Sequence, residues 1–167
     1  LNSVQDTSDD QPRSWALYDL ACTVPADYDL ETYELKSGHI RLLFVRDKNL
    51  LQIDRLSLAQ MILQNSTLPA WYRAFFKKDL RNIEVELQQT ENENHHTIAG
   101  HPKGRWRGLL QPMPFWNVRP RLNLEGRVWR DTQSNKIFCV QSYWKKTEEA
   151  PDIQAFADSV TAYQIEA

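Results

Sequence analysis

Between His101 and Lys146 the chain gathers ten Lys/Arg side chains and four of its six tryptophans. Arg105 and Arg107 flank Trp106, so an extended backbone turns both guanidinium groups to one side and the indole to the other. Arg127 and Trp129 share a face by the same alternation, with Val128 and Arg130 opposite. Arg and Trp are enriched at binding hot spots because they join planar area to directed donors. Arg105, Trp106, Arg107, Arg119, Arg121, Arg127 and Trp129 are therefore the candidate binding residues. Their chemistry suits an acidic protein surface, a carboxylate or a phosphate. The competing reading has the indoles filling the core and the arginines solvating the outer face.

A second set of chemically capable residues is Glu91, Glu93, His95, His96 and His101. If residues 91–95 are extended, Glu91, Glu93 and His95 lie on one side in steps of about 6.6 Å. His95 and His101 on one straight strand stand about 20 Å apart, too far to share an ion without a bend at Gly100. The spacing lacks a metal-ligand pattern, so a solvated turn is expected and no metal or cofactor is assigned. The alternative is a small-ligand or minor hydrolase site built on His95, His96 and His101. Cys22 with His39 would make a thiolate pair only in an exposed, electropositive pocket, and Cys22 sits among apolar strand residues. Cys22 and Cys139 read as buried thiols, with a single bridge between distant strands as the alternative. The chain has no G-x-S-x-G, H-E-x-x-H or C-x-x-C pattern, and its five glycines leave little material for a phosphate-cradling loop. The balance leans away from an enzyme.

The elements that must position these residues follow from pattern and length. A chain of 167 residues fits one domain. Residues 1–13 are polar and acidic without period, and read as a leader or linker before a single domain over 14–167. The first fifty-six residues carry six basic and ten acidic side chains, the reverse of the later half. The net charge of −2 argues against a dedicated nucleic-acid binder while leaving room for a local basic face. No apolar run is long enough for a membrane-spanning helix. Because Leu1 is not an initiator methionine, a longer parent chain is expected. The location leans cytoplasmic, with an exported form as the alternative.

Order begins at Trp15, and two-residue alternation from Tyr18 to Val24 predicts a strand ended by Pro25, followed by strands over 27–35, 40–45 and 50–56 joined by tight turns. Leu58, Ala59, Ile62 and Leu63 suit a short helix capped by Ser57, and a second begins near Pro69 with Trp71 over Phe75 and Tyr72 over Phe76. Strands return at 83–88, 96–99, 105–110, 122–130 and 136–144. Ile137-Phe138-Cys139-Val140 is apolar without alternation, which predicts a central strand covered on both faces. The three prolines in 111–121 exclude that segment from a central strand. Ile153, Phe156, Ala157, Val160 and Tyr163 form one helical stripe. The sum is an α+β domain, an antiparallel sheet flanked by helices.

Cys22-Thr23-Val24-Pro25-Ala26-Asp27-Tyr28, Ile98-Ala99-Gly100-His101-Pro102 and the closing helix from Phe156 to Tyr163 resemble the superfamily of PsbP extrinsic photosystem proteins and Mog-type Ran-binding proteins. The resemblance covers residues 15–165 in the order of elements. It implies an α/β/α sandwich and a protein-binding or assembly role, and brings no catalytic residues with it. Segment 111–121 departs from the family pattern. The expected function is a non-enzymatic binding module whose partner is a protein with an acidic surface.

Overall fold

The structure, a computed structural model, describes residues 11–90, 92–103, 122–145 and 152–162. Its frame is a seven-stranded antiparallel sheet made by β3 (Asp29–Lys36), β4 (His39–Arg46), β5 (Asn49–Ser57), β6 (Ile83–Gln89), β7 (His95–Pro102), β8 (Leu122–Asp131) and β9 (Lys136–Lys145), in the order β3-β4-β5-β9-β8-β7-β6. Tight turns at Ser37-Gly38 and Asp47-Lys48 force neighbours in sequence to pair antiparallel. β9 lies at the middle, and Ile137 to Trp144 are buried without a break. That is the covered central strand the unbroken apolar run predicts.

A second sheet of three strands joins β1 (Arg13–Leu17), β2 (Leu20–Val24) and β10 (Thr161–Ala162), with β2 in the middle. The expected strand from Tyr18 to Val24 is corrected: it begins at Leu20 as β2, and the residues before the turn form its hairpin partner β1. Alternation continues through the turn, and Tyr18 takes the left-handed backbone (φ 55) without the Gly or Asn that normally signals it.

The helices are short. α1 (Ala59–Ile62) starts after Leu58 with no side-chain cap, so the expected Ser57 cap is replaced by Ser57 closing β5. α2 (Leu68–Phe75) is capped by Thr67, whose hydroxyl accepts from the Ala70 amide at 3.4 Å. Its predicted pairs form, with Trp71 stacked on Phe75 at 5.0 Å and Tyr72 tilted on Phe76 at 4.9 Å. α3 (Ile153–Ser159) is held by Asp152, which accepts from the Gln154 and Ala155 amides. The chain then becomes extended at Val160 to form β10, which cuts short the predicted helical stripe.

Two cores sandwich the large sheet. On its helix face, α1, α2 and the 3-10 turn Asp79–Asn82 pack on Leu56, Ile137, Cys139, Leu124 and Val128. On the opposite face the small sheet and α3 pack on Ile40, Leu42, Phe44, Ile53, Phe138 and Val140. The antiparallel α+β expectation thus stands in coarse form. The α/β/α sandwich is corrected to a sheet-dominated body, because one cover is mostly strand and the helices are too short to span the sheet.

Candidate functional site

Of the predicted binding residues, Arg127 and Trp129 are described, both on β8. Arg105, Trp106, Arg107, Arg119 and Arg121 lie outside the described residues. Trp129 pairs across the ladder with Phe138 on one side and His95 on the other, which brings three rings into one row. Their planes are nearly parallel. Trp129 is 5.3 Å from Phe138 at 19° and 6.4 Å from His95 at 14°. The row lies on the small-sheet face, where β8 and β9 extend past the edge of the smaller sheet.

That overhang leaves a cleft of about 510 Å³ between the rings and the Val160–Ala162 segment, rimmed by Asp131, Gln133, Ser134 and Lys136. Ligand-sized sites usually fall between about 300 and 1,000 Å³. The rim is held in place by its own bonds. Asp131 accepts from Ser134 Oγ and from the Gln133 amide at 3.0 Å, and Lys136 Nζ donates to Asp19 at 2.7 Å. Arg127 lies over the Trp129 ring at 5.8 Å and donates to Asp158 of α3 at 2.5 Å. Its charge is thus shared with a carboxylate of the same chain.

The histidines are not brought together. Neighbouring positions on β7 send His95 to the Trp129 row and His96 to the helix face, where burial lowers its pKa and His95 adds a smaller push the same way. His101 pairs opposite Glu84 at the far end of β7. Among the described residues no group of three or more His, Cys, Asp or Glu is placed to hold a metal ion. Cys22 and His39 lie on opposite sides of the large sheet, and burial pushes the Cys22 thiol up to about 12. Cys139 belongs to the other core from Cys22, so the two remain separate, free and buried.

A polar cluster that pattern reading overlooked sits under α2. Asp54 of β5 is wholly buried, yet its carboxylate accepts from His39 Nε2 and Arg41 Nε at 2.7 Å each and from Gln52 Nε2 at 2.6 Å. Beside it, Tyr72 and Tyr143 both donate to Gln141 Oε1, at 2.7 and 3.1 Å. Burial raises the pKa of both phenols, so they remain neutral donors. The available signal was a mirrored pair of i, i+2 polar positions, His39/Arg41 and Gln52/Asp54, across one hairpin. The cluster lies beneath the helix, and its bonds satisfy a charge in the interior.

No protein-family model matches the chain, and no curated protein matches it. Among solved structures, the fold is similar to Mog1p, a Ran-binding protein of Saccharomyces cerevisiae. That match has a TM-score of 0.56 and 12% identity, covering 91% of this chain and 95% of that one. A mutant form of Mog1 gives a TM-score of 0.55 and 12% identity, over 91% of this chain and 96% of that one. The Mog-type architecture implied by the short motifs is therefore present, as a likeness of fold. No helix among the described residues is long and apolar enough to cross a membrane.

Proposed function

We propose that this domain is a non-enzymatic protein-binding module whose partner presents an acidic surface. The contact face comprises Arg105, Trp106, Arg107, Arg119, Arg121, Arg127 and Trp129. The observation that carries the reading is the Trp129 cleft, where a half-buried indole stacked on Phe138 adjoins a polar rim, an arrangement suited to seating an anchoring side chain from another protein. Likeness of fold to a Ran-binding protein supports the same class of role. The chemistry in view also supports binding over catalysis. Both thiols are buried, and the histidines point in different directions.

The test compares partner capture by the wild-type chain, the Arg105→Glu/Arg107→Glu double variant and Trp129→Ala, using a tagged bait and purified Ran as the first named prey. Each variant is checked for an unchanged fold by circular dichroism. A partner retained by the wild type and lost from both variants is the expected result. Equal recovery from all three would remove the Arg/Trp face from the reading.

A further inference from the structure

Among the described residues four strands end the two sheets, β3 and β6 the large one and β1 and β10 the small one. An end strand offers unpaired N–H and C=O groups to any passing chain, and proteins blunt that hazard with charge, proline or a bulge. β3 carries Asp29, Glu31, Glu34 and Lys36, and its register shifts between Leu30 and Thr32. β6 carries Glu84 and Glu86, and β1 carries Arg13. β10 has none of these devices. Thr161 and Ala162 are small and neutral, and they pair with Ala21 and Leu20 without a shift.

The open side of β10 gives onto the Trp129 cleft. Val160, Thr161 and Ala162 line that cleft, and no described residue of β2 does, so this wall is the side turned away from β2. In an antiparallel ladder, alternate residues turn both backbone groups to the neighbouring strand. Of Thr161 and Ala162, one therefore bonds to β2 and the other presents its N–H and C=O to the cleft. The Val160 amide is already given to Ala157 at 3.2 Å. Trp129 and Phe138, on the large sheet, line the same cleft with ring centroids 5.3 Å apart.

Charge does not select the occupant. Lys136, the one cation among the described lining residues, is committed to Asp19, and Asp131, the one carboxylate, accepts from Ser134 and the Gln133 amide. Arg127 beside Trp129 is committed to Asp158. What the cleft offers is one residue's backbone groups next to aromatic area. We infer that it takes an extended segment of a partner protein, which adds to β10 as the fourth strand of the small sheet and sets one large apolar side chain against Trp129 and Phe138. Successive side chains of a strand alternate in direction, so every second one of the segment turns toward the rings. Two residues supply few hydrogen bonds, so the segment needs the ring contact as well as the pairing. The inference rests on the protein-binding reading above and names how its cleft is filled.

The experiment uses the full chain and fluorescein-labelled synthetic nonapeptides that alternate Thr and Val around a central Trp, Leu or Ala, read by anisotropy. The Trp and Leu peptides should bind at least about tenfold more tightly than the Ala peptide, and Trp129→Ala should remove that preference. Two further Trp peptides carry N-methyl groups on their odd or their even backbone amides. Once the central side chain fixes the register, only one of these sets faces β10. One methylated peptide should therefore lose about tenfold or more and the other should keep its affinity. Equal affinity of the two, or no binding of the unmethylated Trp peptide, overturns strand addition. Purified Ran captured through Trp129 while the peptides fail would leave the protein-binding reading standing and remove this one. Peptide binding without any loss of Ran from Trp129→Ala would do the reverse. Concentration-dependent dimerisation that the Trp peptide abolishes would give the cleft to a second copy and overturn the partner assignment.

Discussion

The two faces of the large sheet are covered by different means, and the contrast shows where this fold has slack. The helix face is closed tightly over a buried carboxylate, with Tyr72, Phe76 and Gln141 filling the space around Asp54. Even its glycines are spoken for. A Cβ on Gly126 would meet the Val140 carbonyl oxygen at 2.5 Å, and one on Gly100 would meet Ile83 and Leu124 below 3.0 Å. The small-sheet face is covered only in part. Three strands and a seven-residue helix leave Trp129 at the margin, where the cleft opens. The closed face specifies the fold, and the incomplete one leaves the cleft beside Trp129 open.

The largest expected break in that contrast is Asp54→Ala. It leaves Arg41 and His39 with no carboxylate at the buried end of their contacts, which should cost about 3 kcal/mol or more by urea unfolding. Replacing the set together, as His39→Leu/Arg41→Met/Asp54→Leu, should recover most of that loss, since a buried ion pair gains little over well-packed apolar groups. If the triple variant is as unstable as Asp54→Ala, the cluster stabilises by more than mutual compensation. Gly126→Ala ranks next. The atom it would crowd belongs to the backbone of β9, so the ladder itself must shift, at about 1–3 kcal/mol. A neutral result would show that the helix face has more give than its contacts imply.

The same contrast explains what could be read from the sequence. Strands β3 to β9 announce themselves through alternation and tight turns, and Ile137 to Val140 mark the centre because both sides are apolar. Asp54 was hidden because Gln52 and Asp54 alternate with Leu51 and Ile53, the signature of a strand with one wet face. Only the arrival of α2, a tertiary event, turns that side into core. Trp129 and Arg127 were legible as residues sharing a face, since alternation fixes sides. The cleft beside them was not legible, because it depends on where the small sheet stops. That edge is set by β10, two residues whose pairing with β2 spans most of the chain.

The smallest predicted effect tests how the incomplete cover is fastened. Asp19, in the β1–β2 turn, accepts from Lys136 at 2.7 Å and from Arg55, tying the small sheet to the two central strands. Burial opposes its ionisation, but the hydrogen bonds from Lys136 and Arg55 outweigh that and hold its pKa below the ordinary 3.8. The unfolded chain therefore takes up a proton before the folded one does. The stabilisation is full above about pH 4, and it is lost as pH falls through the lower, folded value. Asp19→Asn should lower neutral-pH stability by less than about 1 kcal/mol, since the pair is partly open to water. The difference from wild type should shrink toward zero as pH falls below about 3. A gap between the two unfolding curves that stays constant from neutral to strongly acid pH would mean the turn is fastened by packing of Leu17 and Leu20, with the carboxylate contributing nothing.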